Sequence, residues 1–214
     1  MQEHPGKEYF RKHVQMKSID LLKKSNWLRA LVLCQVFCGL TQTTIAQKAI
    51  GNLVDGKKEG AWTYYYDNGK VSAIEHFKNG VLDGAVEYFY SDGSKLGEET
   101  WRNGSMEDSA KYFHQNGKVE KEGKYEQGQY AGEWKYYLPN GKPERIVNYV
   151  EGLPEGPTKA FYENGAVMQD GFYKKGKEEG EWKFYSEEGK LRYVGVYKEG
   201  KEVSMKKVKR GWIL

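Results

Sequence analysis

From Gly60 onward the chain alternates short runs of strand-forming residues with polar, glycine-containing breaks. The run Ala61-Trp62-Thr63-Tyr64-Tyr65-Tyr66 is rich in aromatic residues, and Asp67-Asn68-Gly69-Lys70 ends it. Successive side chains of a strand point to opposite faces, so Trp62, Tyr64 and Tyr66 share one face and Tyr65 takes the other. Asn-Gly predicts a two-residue type I′ hairpin loop, because both residues tolerate positive φ. In that register residue 66 faces 71, 64 faces 73 and 60 faces 77. Phe77 then lies across from Gly60, where its ring can cover bare backbone.

The same pattern returns every 24 residues. Gly60, Gly84, Gly132, Gly156 and Gly180 keep this spacing, with Asp108 in the vacant place. Gly69, Gly93, Gly117, Gly141, Gly165 and Gly189 form a second series, and the glycines from Gly56 to Gly200 a third. Aromatics hold the register as well: Phe77, Trp101, Tyr125, Tyr149, Tyr173 and Tyr197. Several glycine and aromatic series in one period mark a repeat array. The predicted fold is all-β, an elongated single-layer antiparallel sheet of six 24-residue β-hairpin units over residues 60–203. Residues 47–59 read as an N-terminal half-unit, with Ile50, Leu53 and Val54 ready to pair. Val203-Ser204-Met205 opens a further half-unit, residues 204–214 form a basic C-terminal cap, and Trp212-Ile213-Leu214 is expected to fold over the last aromatic row.

Ahead of the repeats the chain changes character. Lys17, Lys23, Lys24 and Arg29 precede the apolar run from Ala30 to Leu40, and a polar stretch ends at Thr44-Ile45-Ala46. This three-part pattern predicts a helical secretory signal peptide over residues 1–46, cut between Ala46 and Gln47, with Met16 as a candidate start. The apolar run is about 11 residues, short of the roughly 20 that span a bilayer. Neither Cys34 nor Cys38 follows the small residue that a lipoprotein signal requires. Both cysteines fall within the signal, so the mature chain would carry none and could form no disulfide.

Charge narrows the partner class. Residues 1–46 hold seven Lys/Arg against three Asp/Glu, which accounts for the whole net +4 and leaves 27 of each sign beyond them. Residues 47–200 carry 22 basic and 26 acidic side chains, which argues against nucleic acid. Lys206, Lys207, Lys209 and Arg210 beside Trp212 form the one basic cluster, read first as a capping strand and second as a membrane contact.

Little in the mature chain suggests catalysis. His76 and His114 lie in different units, and His114 shares a register position with Tyr66, Tyr90 and Tyr162. The acidic pairs Glu98-Glu99, Glu178-Glu179 and Glu187-Glu188 read as solvated charges near turns, because general acid–base work needs carboxylates held in a cleft. No phosphate loop, nucleophile elbow or metal-ligand spacing occurs. The expectation is a protein that is not an enzyme and uses no cofactor or metal.

The segment from Phe77 through Gly80 to Gly84, with Gly132-Glu-Trp134-Lys-Tyr136-Tyr137 and Gly180-Glu-Trp182-Lys-Phe184-Tyr185, resembles the MORN repeat. It is closest to a bacterial variant with a central Asn-Gly turn, and the resemblance covers residues 49–204. Asp108, Thr158 and Ala160 depart from the motif, so the sheet is expected to be locally irregular there. The resemblance implies a sheet of hairpins used as an interaction surface, and it brings no catalytic residues. Some bacterial members are labelled antitoxins; eukaryotic arrays are linked to membrane-proximal scaffolding. The leading expectation is an exported scaffold of the envelope or exterior that holds a protein or glycan partner. Its candidate surface is Tyr64, Tyr88, Tyr112, Tyr136, Trp134 and Trp182. A neutraliser of a cognate toxin and a membrane-contacting scaffold are the alternatives.

Overall fold

The computed structural model describes residues 48–208. The signal segment, its cut between Ala46 and Gln47, and the cap formed by Trp212-Ile213-Leu214 lie outside the described residues. Within them the chain forms one antiparallel sheet of 15 strands and no helix. In chain order these are β1 (Ala49–Val54), β2 (Lys57–Tyr65), β3 (Val71–Lys78), β4 (Val81–Leu82) and β5 (Gly84–Phe89). Then come β6 (Lys95–Arg102), β7 (Ser105–Phe113), β8 (Val119–Glu126), β9 (Gln129–Tyr137) and β10 (Pro143–Val150). The last are β11 (Leu153–Phe161), β12 (Val167–Lys174), β13 (Lys177–Tyr185), β14 (Leu191–Lys198) and β15 (Lys201–Lys207). Spatial order follows chain order, with β4 a short spur on β3. Six hairpins result, flanked by β1 as the second half of a unit and β15 as the first half of another.

The two kinds of turn are distributed differently from the expectation. At Asn68-Gly69 only the glycine has positive φ, +82°. Tyr66 N–H donates to the Lys70 carbonyl at 2.8 Å, and Gly69 N–H donates back to the Tyr66 carbonyl at 2.9 Å. The loop thus has three residues, a type I turn closed by a glycine bulge. Pairing follows the expected register from Gly60↔Phe77 to Tyr64↔Ala73, then shifts so that Tyr65 meets Val71. Asn68 serves through its side chain: Oδ1 accepts from Lys70 N–H at 3.0 Å, and Nδ2 donates to the Ser91 carbonyl of the next turn at 2.8 Å. The paired positive φ values of a type I′ turn occur instead between units, as at Asn79 (+53°) and Gly80 (+84°).

Register shifts do lie beside Asp108, Thr158 and Ala160, but equivalent shifts occur in other units and so do not stem from these residues. β7 and β11 each run nine residues unbroken through Asp108 and through Thr158 and Ala160. Asp108 adopts φ +61° in place of glycine and pairs with Arg102. The break lies at Asp83, where Gly84 has φ +124° and the strand divides into β4 and β5. Here Asp83 N–H donates to the His76 carbonyl at 2.9 Å, and His76 Nδ1 lies 2.7 Å from the Ala85 carbonyl.

One side of the sheet, face 1, holds nearly all the buried apolar side chains. Val86, Ala110, Trp134 and Trp182 recur at one position of the 24-residue unit and are 0%, 3%, 0% and 3% exposed. Trp62, Trp134 and Trp182 each lie over a glycine of the preceding strand. A Cβ built on Gly51, Gly123 or Gly171 would stand 2.3, 2.3 or 2.2 Å from the indole. At Gly60, where the Phe77 ring was expected, the space a Cβ would take is empty. Where the large residue shrinks to Val86 or Ala110, the strand before carries Glu75 or Glu99 instead of glycine. Close packing explains this exchange of volume between neighbouring strands.

Candidate functional site

The six nominated surface residues all lie on face 1, and the structure turns them inward. Trp134, Trp182 and Tyr136 are buried at 0%, 3% and 6% exposure. The remaining tyrosines are half-buried and engaged by the chain itself. Lys58 Nζ stands 5.0 Å from the Tyr64 ring centre, and Lys121 Nζ 4.2 Å from that of Tyr112. The Arg145 guanidinium caps Tyr136 at 4.0 Å. Tyr88 donates to Glu99 Oε2 at 3.2 Å, Trp101 Nε1 donates to the same oxygen at 2.9 Å, and Tyr112 donates to Oε1. Glu99 is therefore not a solvated charge but the acceptor that gathers three aromatic donors. Tyr130 stacks on Tyr125 at 5.0 Å and meets Trp134 edge-on at 4.3 Å. Face 1 is a thin core closed by its own aromatics and cations.

Burial leaves a pH signature. It raises the Tyr112, Tyr125 and Tyr136 hydroxyls well above the ordinary phenol value of 10.0, and burial followed by the Glu122 hydrogen bond raises Tyr137 to about 12. Folded-state values above the unfolded one mean that stabilisation is complete below about pH 10 and is lost as pH rises through the folded values. An alkaline titration followed by phenolate absorbance should show these tyrosines ionising together with loss of sheet circular dichroism. Smooth ionisation of every tyrosine near its ordinary value, with the sheet intact, would contradict a closed face 1.

Other polar side chains hold the turns in line. Glu59 accepts from Asn79 N–H at 2.7 Å, Glu155 from Lys175 N–H at 2.6 Å and Glu179 from Glu199 N–H at 2.9 Å. Asp83 and Glu107 do the same at 3.2 and 3.0 Å. The sequence signal was present: acidic residues recur every 24 positions and lapse at Ala131. Near the opposite turns, Tyr66, Tyr90 and Tyr162 donate to the carbonyl 23 residues on, at 2.6, 2.9 and 2.7 Å. His114 fills the same place, with Nε2 2.8 Å from the Tyr137 carbonyl; a carbonyl only accepts, so Nε2 carries the proton. Both histidines thus make local structural bonds.

The opposite side, face 2, is the open one. A cross-strand row runs Thr63, Ile74, Glu87, Glu98, Lys111 and Glu122, then Lys135, Ile146, Lys159, Asp170, Lys183, Val194 and Lys206. None of these side chains is buried. The row is mainly acidic at Glu87, Glu98 and Glu122, with Lys111 among them, then mainly basic at Lys135, Lys159 and Lys183, with Asp170 between the last two; these three lysines are two strands apart, or roughly 10 Å. Beside the basic half, Phe172 and Val196 are 42% and 40% exposed. Phe172 pairs with Pro157 and Glu179, and Val196 with Glu181. Lys135 and Lys183 reach Glu133 and Glu181 at 3.3 and 3.4 Å, exposed pairs that contribute little and exchange readily. The lysines at 24-residue spacing were visible in the sequence, but parity alone did not tell which face was open.

The model of the MORN repeat variant family matches residues 58–79, 109–127, 131–151, 154–175 and 178–199. The unmatched stretch between the first two segments contains the break at Asp83 and Val86 in place of tryptophan; it still folds as the β5–β6 hairpin. No curated protein sequence matches the chain. Among solved structures, a crystal structure of the GtfA/B complex bound to UDP and GlcNAc overlaps 64% of this chain and 26% of its own, at 11% identity and a TM-score of 0.26. The chain spans about a quarter of that protein's length, and the overlap bears on neither its fold nor its function. The period, the hairpins and the family match agree: this sheet is built on five MORN repeat variants.

Proposed function

We propose that the chain is an exported, non-catalytic scaffold that holds a protein or glycan partner on the basic half of face 2. One observation carries this reading: Phe172 lies exposed beside Pro157 and Glu179, on the strand whose Asp170 pairs with Lys159 and Lys183, on the face that the core leaves open. An apolar centre with a charged rim is the usual anatomy of a contact patch, and a large aromatic is a common anchor within one. The repeating lysines favour an extended partner with regularly spaced acidic groups. Export rests on the charged, apolar and small-residue pattern that ends at Ala46.

The test begins with native cells, which are fractionated so that the N-terminus of the protein can be read. The mature chain and its Phe172→Asp and Lys159→Glu variants are then compared as baits for envelope and secreted molecules. The expected result is a chain starting at Gln47 outside the cytoplasm. Its ligand should bind each variant at least about tenfold more weakly. An intact N-terminus in the cytosol would overturn export, and unchanged binding by both variants would overturn the assigned face.

A further inference from the structure

The two edges of the sheet are complementary halves of one unit. Among the described residues β1 and β15 each have a single strand neighbour. Among the described residues β1 is the second strand of a hairpin without its first, and β15 the first strand of one without its second. We propose that β15 of one copy pairs with β1 of the next, head to tail, completing a unit across the junction.

The hairpin rule and the pairing of β15 with β14 supply the register. Within the sixth hairpin Trp182 faces Gly195, Lys183 faces Val194 and Gly180 faces Tyr197. β15 runs one residue short of the 24-residue period, because Gly195 pairs with Met205 and Val194 with Lys206, so Met205 instead of Lys206 takes the tryptophan place of the first strand. β1 holds second-strand register, with Ile50 opposite Thr63. The hairpin rule then places Met205 against Gly51 of the next copy, Lys206 against its Ile50 and Val203 against its Leu53. Val203 and Leu53 are 64% and 61% exposed, the two most exposed large hydrophobics of the described chain. This register follows from the pairing of β15 with β14 and the hairpin rule, and it brings the two side chains face to face.

Packing and charge favour the same junction. Met205 Cε lies 2.9 Å from where a Cβ on Gly195 would stand, so Met205 fills the tryptophan place over that glycine. Beyond the junction Trp62 covers Gly51, and the row of alternating large and small residues on face 1 continues without a gap. Ala49–Val54 carries no charge, so the lysines of β15 meet no like charge there. Two β15 strands each carry three lysines and one glutamate, so pairing them brings like net charge together. The strands are antiparallel, and such a heterologous contact propagates unless it closes into a ring.

Sedimentation of the full chain over a concentration series is the test. Wild type should form a ladder of oligomers. Leu53→Glu and Val203→Lys, both at exposed positions, should sediment as single chains with unchanged circular dichroism. An equimolar mixture of the two should form the ladder again, because intact edges meet at every other junction and the introduced lysine meets the introduced glutamate at the rest. The double variant should associate again through opposed Glu and Lys. Wild type that stays monomeric at all concentrations would overturn the proposal. So would a Val203→Lys chain that associates like wild type, as pairing of β1 with a second β1 would give.

Discussion

Trp134→Ala is expected to lower the stability of the sheet by about 3–5 kcal/mol, the usual cost of removing a fully buried large aromatic. Trp134 is 0% exposed and sits at the centre of a cluster with Ala110, Tyr125, Tyr136 and Val147. Its ring contacts Tyr125, Tyr130 and Tyr136, and Nε1 donates to the Lys124 carbonyl at 2.9 Å. A single-layer sheet has no second layer to collapse into the space left behind, so the neighbouring rings would become exposed. Urea unfolding followed by tryptophan fluorescence and circular dichroism measures the loss. A change below about 1 kcal/mol would show that the aromatics of face 1 do not act as a core.

Gly123→Ala should be damaging for the opposite reason. Gly123 is not among the positive-φ residues, so its backbone would accept alanine, and in an ordinary strand the added methyl would help. Here the new Cβ would stand 2.3 Å from Trp134 Cδ2. The indole cannot retreat while Tyr125 and Tyr130 hold it, so the expected cost is about 1–3 kcal/mol from overpacking. The double variant Gly123→Ala/Trp134→Ala should be no less stable than Trp134→Ala alone, since the methyl then enters vacated space. Additive losses would mean that the two positions do not share a contact.

This glycine–tryptophan pairing also shows what could be read in the sequence. The 24-residue period and the antiparallel sheet of hairpins followed from glycine and aromatic spacing, because a repeat states each rule several times. Turn type did not follow, since Asn-Gly suits both a two-residue loop and a glycine-closed bulge, and strand pairing decides between them. The closed face did not follow either. Counting parity within a hairpin placed Trp62 and Phe77 together correctly, but aromatics such as Tyr65 and Tyr137 populate the other face too. What closes face 1 is the match of Trp134 with Gly123, 11 residues earlier and across an irregular pairing between Glu122 and Lys124. Parity does not carry through such a shift, so sequence alone sends Trp134 and Trp182 to a surface from which they are hidden. Phe172 escaped notice because its position in other units is filled by His76, Thr100, Lys124 and Asn148, which makes it look tolerant.

Hydroxyl-radical footprinting of the isolated protein tests the central claim, that face 1 is closed and face 2 is left for a partner. Phe172, Val150 and Leu153 should be oxidised readily, and Trp134, Trp182 and Tyr136 should remain unmodified although accessible indoles and phenols react faster than aliphatic side chains. Labelling of Trp134 to the same extent as Phe172 would contradict the account and return the tyrosines and tryptophans of face 1 to consideration as the binding surface.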